Sequence, residues 1–173
     1  MNIDFIILAA GKGTRMGGDS PKVLASLAGK PMIQHLIDTV DSFPNSKTSI
    51  VVGYKSNEVE RNLVSQKKLR FVKQKNQLGT AHAVKQALPN IRKNSVAVIL
   101  YGDVPLVKKN TLNRLIKSAS TGKLSLLTFI KEDPIGYGRI IRGSRKNVQK
   151  ITEHKDASAA EKEIREVNSG ILA

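Results

Sequence analysis

Short apolar runs alternate with stretches of helical period along most of this chain, and that alternation leaves few folds open. Asp4 to Ala10 is apolar apart from its first residue and ends on Gly11, as a fully buried strand does. Pro31 can open a helix at its first position, and Met32, Ile33, Leu36, Ile37 and Val40 then recur at helical spacing before Pro44. Ile50 to Val52 is a second buried strand, and Ser56 can cap a short helix carrying Val59, Leu63 and Val64. Leu69 to Lys73 predicts a strand, Thr80 to Leu88 a helix stopped by Pro89, and Val96 to Tyr101 a continuous aliphatic central strand. Asn110 can cap a helix with Leu112, Leu115, Ile116 and Ala119, and Leu124 to Phe129 follows as a strand. Strand and helix in turn, through Phe129, predict an α/β domain: a Rossmann-like, predominantly parallel sheet with helices on both faces. Beyond Ile140 the rhythm shortens. Arg139 to Arg142 and Val148 to Thr152 predict strands, Ala159 to Arg165 a polar helix and Val167 to Leu172 a last strand.

The 173 residues suit one domain, and no internal repeat or linker divides them. There is no Cys, which excludes disulfides and thiolate metal sites. The opening apolar run is short, lacks a basic flank and is interrupted by Asp4, so it predicts neither a signal peptide nor a membrane span. A cytoplasmic protein is expected. Lys and Arg total 29 against 14 for Asp and Glu, a formal charge of +15 that raises the local concentration of anions. A nucleic-acid surface would interleave such cations with exposed aromatics, and aromatics are 4% with no Trp. Polyanionic small molecules fit better.

The chemistry concentrates first in Leu8-Ala9-Ala10-Gly11-Lys12-Gly13-Thr14-Arg15-Met16. A strand running into a glycine-rich turn, expected over residues 11–19, can aim main-chain N–H groups at phosphate oxygens. It is not the dinucleotide fingerprint, because Met16 replaces the third glycine and the next strand ends at Gly53 instead of an acid. Nor is it a Walker A loop, since Gly13 to Gly18 is followed by Asp19 and Ser20. Arg15, a planar fork, and Lys22, a mobile point charge, lie within reach of a phosphate held there.

With Pro21-Lys22-Val23-Leu24 behind it, this segment resembles the signature of sugar nucleotidyltransferases. Further segments extend the likeness: Gln74 with Gln77-Leu78-Gly79-Thr80-Ala81-His82-Ala83, Leu100 to Leu106, Asp133 to Ile140, Glu153 to Ala157, and Val167 to Ile171. In that unbroken order they resemble the N-terminal domain of the bifunctional N-acetylglucosamine-1-phosphate uridyltransferase/glucosamine-1-phosphate acetyltransferases. The resemblance implies uridylyl transfer from UTP to N-acetylglucosamine-1-phosphate, giving UDP-N-acetylglucosamine and pyrophosphate with Mg²⁺ as cofactor. It places uracil and ribose against Leu8, Ala9, Ala10 and Gly11, and the triphosphate against Gly13, Thr14 and Arg15. Lys22 falls on phosphate, Gln74, Gly79 and Thr80 on the base, and Asp103 on the metal. Tyr101, Gly102, Gly138, Glu153 and Asn168 fall on the sugar.

The residues themselves suit these roles. Gln offers both donor and acceptor to an imide edge such as uracil. Asp103 follows a central strand at its carboxyl end, where open α/β sheets bind ligands; a lone Asp there is otherwise a turn residue or helix cap. His82 sits in an Ala-rich helix and, like His35 and His154, is read as structural. The likeness also leads one to expect a single nucleotidyltransferase domain over residues 1–173 that lacks its last part. A further metal-binding Asn is missing, as are the hexapeptide repeats that trimerise and transfer acetyl groups.

Overall fold

A computed structural model describes residues 1–11 and 20–173. An eight-stranded sheet organises them. Its parallel half is built from β1 (Asn2–Ala9), β4 (Ser46–Val52), β5 (Leu69–Lys73) and β6 (Ser95–Tyr101), in the order β5-β4-β1-β6. β1 lies at the centre, so both its faces must be covered, and every residue from Ile3 to Ala9 is buried. Its side chains alternate. Ile3, Phe5, Ile7 and Ala9 join a core with α1 (Met32–Asp41), α2 (Ser56–Arg61) and α4 (Lys109–Ala119). Ile6 and Leu8 face the other way, onto Ala83 and Ala87 of α3 (Thr80–Ala87). Helices therefore lie on both faces, as the alternating pattern predicts.

Asp4 breaks the apolar run without breaking the strand. It is 4% exposed and bound by Arg92, whose Nε reaches Oδ1 and whose backbone N–H reaches Oδ2, both at 2.9 Å. Arg92 also donates to the carbonyls of Ile3 and Asn45, so the buried charge is paired and hydrogen-bonded, as its burial requires.

The rest of the sheet departs from the parallel pattern. β10 (Glu166–Leu172) enters antiparallel beside β6, pairing Leu172 with Ile99. Its other end pairs Val167 with Arg139 of β8 (Arg139–Arg142), and β8 forms an antiparallel hairpin with β9 (Val148–Thr152). β7 (Leu126–Ile130) runs along β10, with a register shift between Asn168 and Leu172. Thus the run expected to extend the parallel core is hydrogen-bonded to an antiparallel neighbour instead. One fork clamps the three strands. Arg142 Nε and Nη2 meet Glu166 at 2.7 and 2.6 Å, and Thr128 donates to the same carboxylate. The Arg142 contact lowers the Glu166 pKa, with burial opposing.

Local corrections have local causes. α2 starts after Lys55 in a left-handed conformation, with Ser56 inside the helix and no side-chain cap; α4 starts after extended Lys108, and Asn110 lies one residue inside. Pro31 is the extended residue before α1, pairing Ser26 across the small hairpin of β2 (Ser26–Leu27) and β3 (Lys30–Pro31). α5 is shorter than expected, Ala159–Lys162, but carries a full capping box between Ser158 and Glu161.

Candidate active site

The parallel strands β5, β4, β1 and β6 all point their carboxyl ends the same way, and a cleft of about 310 Å³ opens beyond them, lined from the ends of β1, β5 and β6. Leu8, Ala9, Ala10 and Gly11 form its floor at the end of β1. Gln74, Gly79 and Thr80 wall one side, Tyr101 and Asp103 another, and Lys22 stands at the mouth. Ten residues picked from the sequence, scattered over nearly a hundred positions, thus share one cavity.

Lys22 and Asp103 meet. Nζ lies 2.7 Å from Asp103 Oδ2, with side chains 40% and 32% exposed. An ion pair this wet contributes about 0.2–1 kcal/mol. It is weakly held, so an incoming phosphate could draw off the lysine, or a cation the carboxylate. Lys22 is placed by a tight 3₁₀ turn over Lys22–Leu24 whose Val23 is buried in the main core. Asp103 is placed by Gly102, whose N–H donates to the Leu8 carbonyl at 2.9 Å and ties the end of β6 to the end of β1. A Cβ on Gly102 would stand 2.9 Å from Val23 Cγ1 and 3.2 Å from that carbonyl, so this approach requires glycine. Gly102 itself is buried beneath the cleft and does not line it.

Gln74 is 5% exposed. Its side-chain nitrogen lies 3.2 Å from the Gly79 carbonyl and 3.0 Å from His82 Nδ1. The amide has two hydrogens, and both are taken. The expectation that Gln74 offers donor and acceptor together is therefore corrected: the protein consumes the donor end, and the oxygen is left for the cleft. Gln77 and Val23 also line the cavity, and Gln77 Nε2 donates to the Ala10 carbonyl at 2.9 Å. Neither was picked out as a site residue, although both lie inside the motifs.

Gly138, Glu153 and Asn168 gather outside the cleft, where β8, β9 and β10 meet. Asn168 N–H donates to the Gly138 carbonyl at 2.9 Å, and a Cβ on Gly138 would stand 3.3 Å from Glu153 Oε1. Asn168 Oδ1 accepts from Gly170 N–H, and Gly170 abuts the Tyr101 ring, which lines the cleft. The two groups of residues are thus joined through one aromatic side chain. Gly13, Thr14 and Arg15, with the rest of the loop expected over residues 11–19, lie outside the described residues, apart from exposed Gly11. The remaining histidines are bound locally: His35 to the Leu27 carbonyl and His154 to buried Arg139.

A parallel sheet whose carboxyl ends open on a cleft, with a cation facing a carboxylate at its mouth, is the build of an α/β domain that handles phosphate esters. Comparison with known proteins narrows the class. A family model described as the MobA-like NTP transferase domain matches residues 5–165, and the chain belongs to that family of nucleotidyltransferases. It is 46% identical over 173 residues to the bifunctional protein GlmU of Alcanivorax borkumensis, and 49% identical to that of Nitrosomonas eutropha. The alignments cover 100% and 99% of this chain and 38% of each relative, so the chain spans well under half their length. The resemblance carried by the motifs is borne out over the whole chain. Among solved structures, UTP-bound UGPase from Acinetobacter baumannii superposes with a TM-score of 0.83 at 17% identity, covering 100% of this chain and 74% of that one. HddC from Yersinia pseudotuberculosis, complexed with GMP-PN, gives 0.75 at 24% identity, covering 98% and 75%. Both carry the fold. Among the described residues no helix is long and apolar enough to cross a membrane.

Proposed function

We propose that the chain transfers the uridylyl group of UTP to N-acetylglucosamine-1-phosphate, releasing pyrophosphate and forming UDP-N-acetylglucosamine. The observation that carries this reading is the 2.7 Å meeting of Lys22 and Asp103 at the mouth of the cleft that Gln74 walls. In the reaction a phosphate oxygen of the sugar phosphate bonds to the α-phosphorus of UTP. The bond from that phosphorus to the bridging oxygen breaks, and its electron pair leaves on pyrophosphate. The nucleophile is already an anion, so no general base is required. The protein's task is alignment and charge neutralisation. Lys22, released from Asp103, neutralises phosphate. The main chain from Leu8 to Gly11 lies under the nucleoside, and Gln74 faces its base. Gly138, Glu153 and Asn168, joined to the cleft through Tyr101, hold the sugar. The loop with Gly13, Thr14 and Arg15 takes the triphosphate.

The donor set suits Mg²⁺. Asp103 supplies one carboxylate of which Oδ1 has no partner among the described residues, and Mg²⁺ is commonly held by one or two carboxylates with phosphate oxygens and water. Bound there, the ion would neutralise phosphate charge and polarise its oxygens. No group of three or more His, Cys, Asp or Glu among the described residues offers an alternative.

The test is pyrophosphate release from UTP and N-acetylglucosamine-1-phosphate with and without Mg²⁺. Release should need all three and should drop at least a hundredfold in Asp103→Ala, as loss of a pre-organised electrostatic group does. Release that persists in that variant overturns the reading. The single carboxylate favours one other outcome, a domain that binds UTP without turning it over, which calorimetry separates from an inert chain.

A further inference from the structure

Resting on the reading of the cleft as a nucleotide site, we propose that His82 is a positioning residue for base selection. It holds the Gln74 amide so that only an acceptor faces the ligand, which favours a base with a ring N–H at that edge over one with a bare ring nitrogen.

Gln74 is anchored by its main chain, whose N–H donates to the Val52 carbonyl at 2.8 Å. Its side-chain nitrogen faces two acceptors, the Gly79 carbonyl and His82 Nδ1. Turning the amide over would set its oxygen against the Gly79 oxygen, so the nitrogen stays inward. Gln74 Oε1 has no partner among the described residues. It is not sealed off either, because the one such atom enclosed without a partner is Asp41 Oδ1. Gln74 lines the cleft, and the cleft is where that oxygen is open.

His82 must then accept at Nδ1. A neutral imidazole accepts at one nitrogen and donates from the other, so Nε2 carries the proton. The Gln86 side-chain amide lies 3.1 Å from Nε2. His82 thus fixes Gln74. With His82 gone, the 3.2 Å contact to Gly79 is left alone. Water, which donates as readily as it accepts, fills the ring's place and favours neither end of the amide.

The bases divide at this point. Uracil carries N–H at its N3, flanked by two carbonyls, and an inward-facing Oε1 can accept from it. Cytosine has a lone pair at the same place, and two acceptors would confront each other.

The decisive measurement is the ratio of UTP to CTP affinity by calorimetry on the full chain, in wild type, His82→Phe, His82→Asn and His82→Ala. The ratio is read because a merely structural role would weaken both nucleotides together. His82→Phe keeps the ring but no acceptor, and the ratio should fall about tenfold, the worth of one hydrogen bond. His82→Asn, whose side-chain oxygen can accept near Nδ1, should restore most of it. His82→Ala, which also removes the acceptor, should lower it as His82→Phe does. An unchanged ratio in folded His82→Phe overturns the role of His82 while leaving the nucleotide reading in place. If His82→Phe does not fold, His82→Ala decides: a lower ratio supports the role of His82 and a wild-type ratio overturns it. A wild-type chain that binds neither nucleotide brings down both readings.

Discussion

Replacing Gly170 with alanine should destabilise the fold by roughly 2–5 kcal/mol, through two separable effects. Gly170 sits at the register shift of β10 with φ +80°, a conformation an L-residue adopts at a cost of about 1–2 kcal/mol. A Cβ there would also stand 2.5 Å from Tyr101 Cε2 and 3.0 Å from Cζ, so the ring or the strand must move. Overpacking of this kind typically adds about 1–3 kcal/mol. A double-mutant cycle separates the two. In a Tyr101→Ala background the clash is gone and only the backbone cost remains, so the same glycine substitution should cost about 1–2 kcal/mol. The assay is urea unfolding followed by far-ultraviolet circular dichroism, since the chain has no Trp to report by fluorescence. The difference between backgrounds should be about 1–3 kcal/mol. Equal costs with and without the Tyr101 ring would refute the packing argument. Because Tyr101 lines the cleft, Gly170→Ala should also weaken nucleotide binding beyond its effect on stability.

The ion pair in the first strand should respond asymmetrically. Arg92→Ala leaves Asp4 buried and charged, at a cost of about 3–5 kcal/mol, whereas Asp4→Ala leaves an arginine that is 23% exposed and still bonded to two carbonyls, at about 1–3 kcal/mol. Equal losses in urea unfolding would contradict this account. Acid should loosen the far end of the sheet. The Lys150 contact, with help from Ser158, holds the Glu161 carboxyl down from 4.5 to about 2, and Glu166 shifts the same way beside Arg142. A depressed folded-state pKa stabilises fully above the unfolded value, so stability should fall as pH drops from about 4.5 towards about 2. Denaturation midpoints across that span should flatten in Glu161→Gln without becoming level, because Glu166 still titrates.

Much of the fold can be read from local pattern, because strands such as β1 and β6 are apolar on both faces and α1, α3 and α4 run out at Pro44, Pro89 and Gly122. Leu69–Lys73, Arg139–Arg142 and Val148–Thr152 fall where the residues predict. Capping residues mislead at Ser56 and Asn110, which lie one and two places inside helices whose N-cap positions are Lys55 and Lys108. Pairing was less legible. Nothing in the apolar run around Leu126 tells whether its partner runs parallel or antiparallel, since register and direction depend on residues 166–172, far along the chain. The cleft was legible through motif order, which gathered Leu8, Gln74 and Asp103 before any geometry was known. What the motifs could not convey is how partners share hydrogens. The Lys22–Asp103 contact spans 81 positions, and the saturation of the Gln74 amide depends on a histidine read only as part of a helix.

β10 is late in the chain yet interior in the sheet, and this has a consequence for synthesis on the ribosome. The parallel strands need only residues 2–101 to find one another. β7 and the β8–β9 hairpin, in contrast, reach the rest of the sheet through β10. Until residues 166–172 emerge, the free edge of β6 and the β8 side of the waiting hairpin stay unpaired, and unpaired edges recruit foreign strands. The nascent chain therefore passes through an adhesive interval, which the last strand ends by acting as a wedge between two preformed pieces. The same wedge bears Asn168 and Gly170, so the proposed sugar contacts and the packing behind Tyr101 come into being in a single late event.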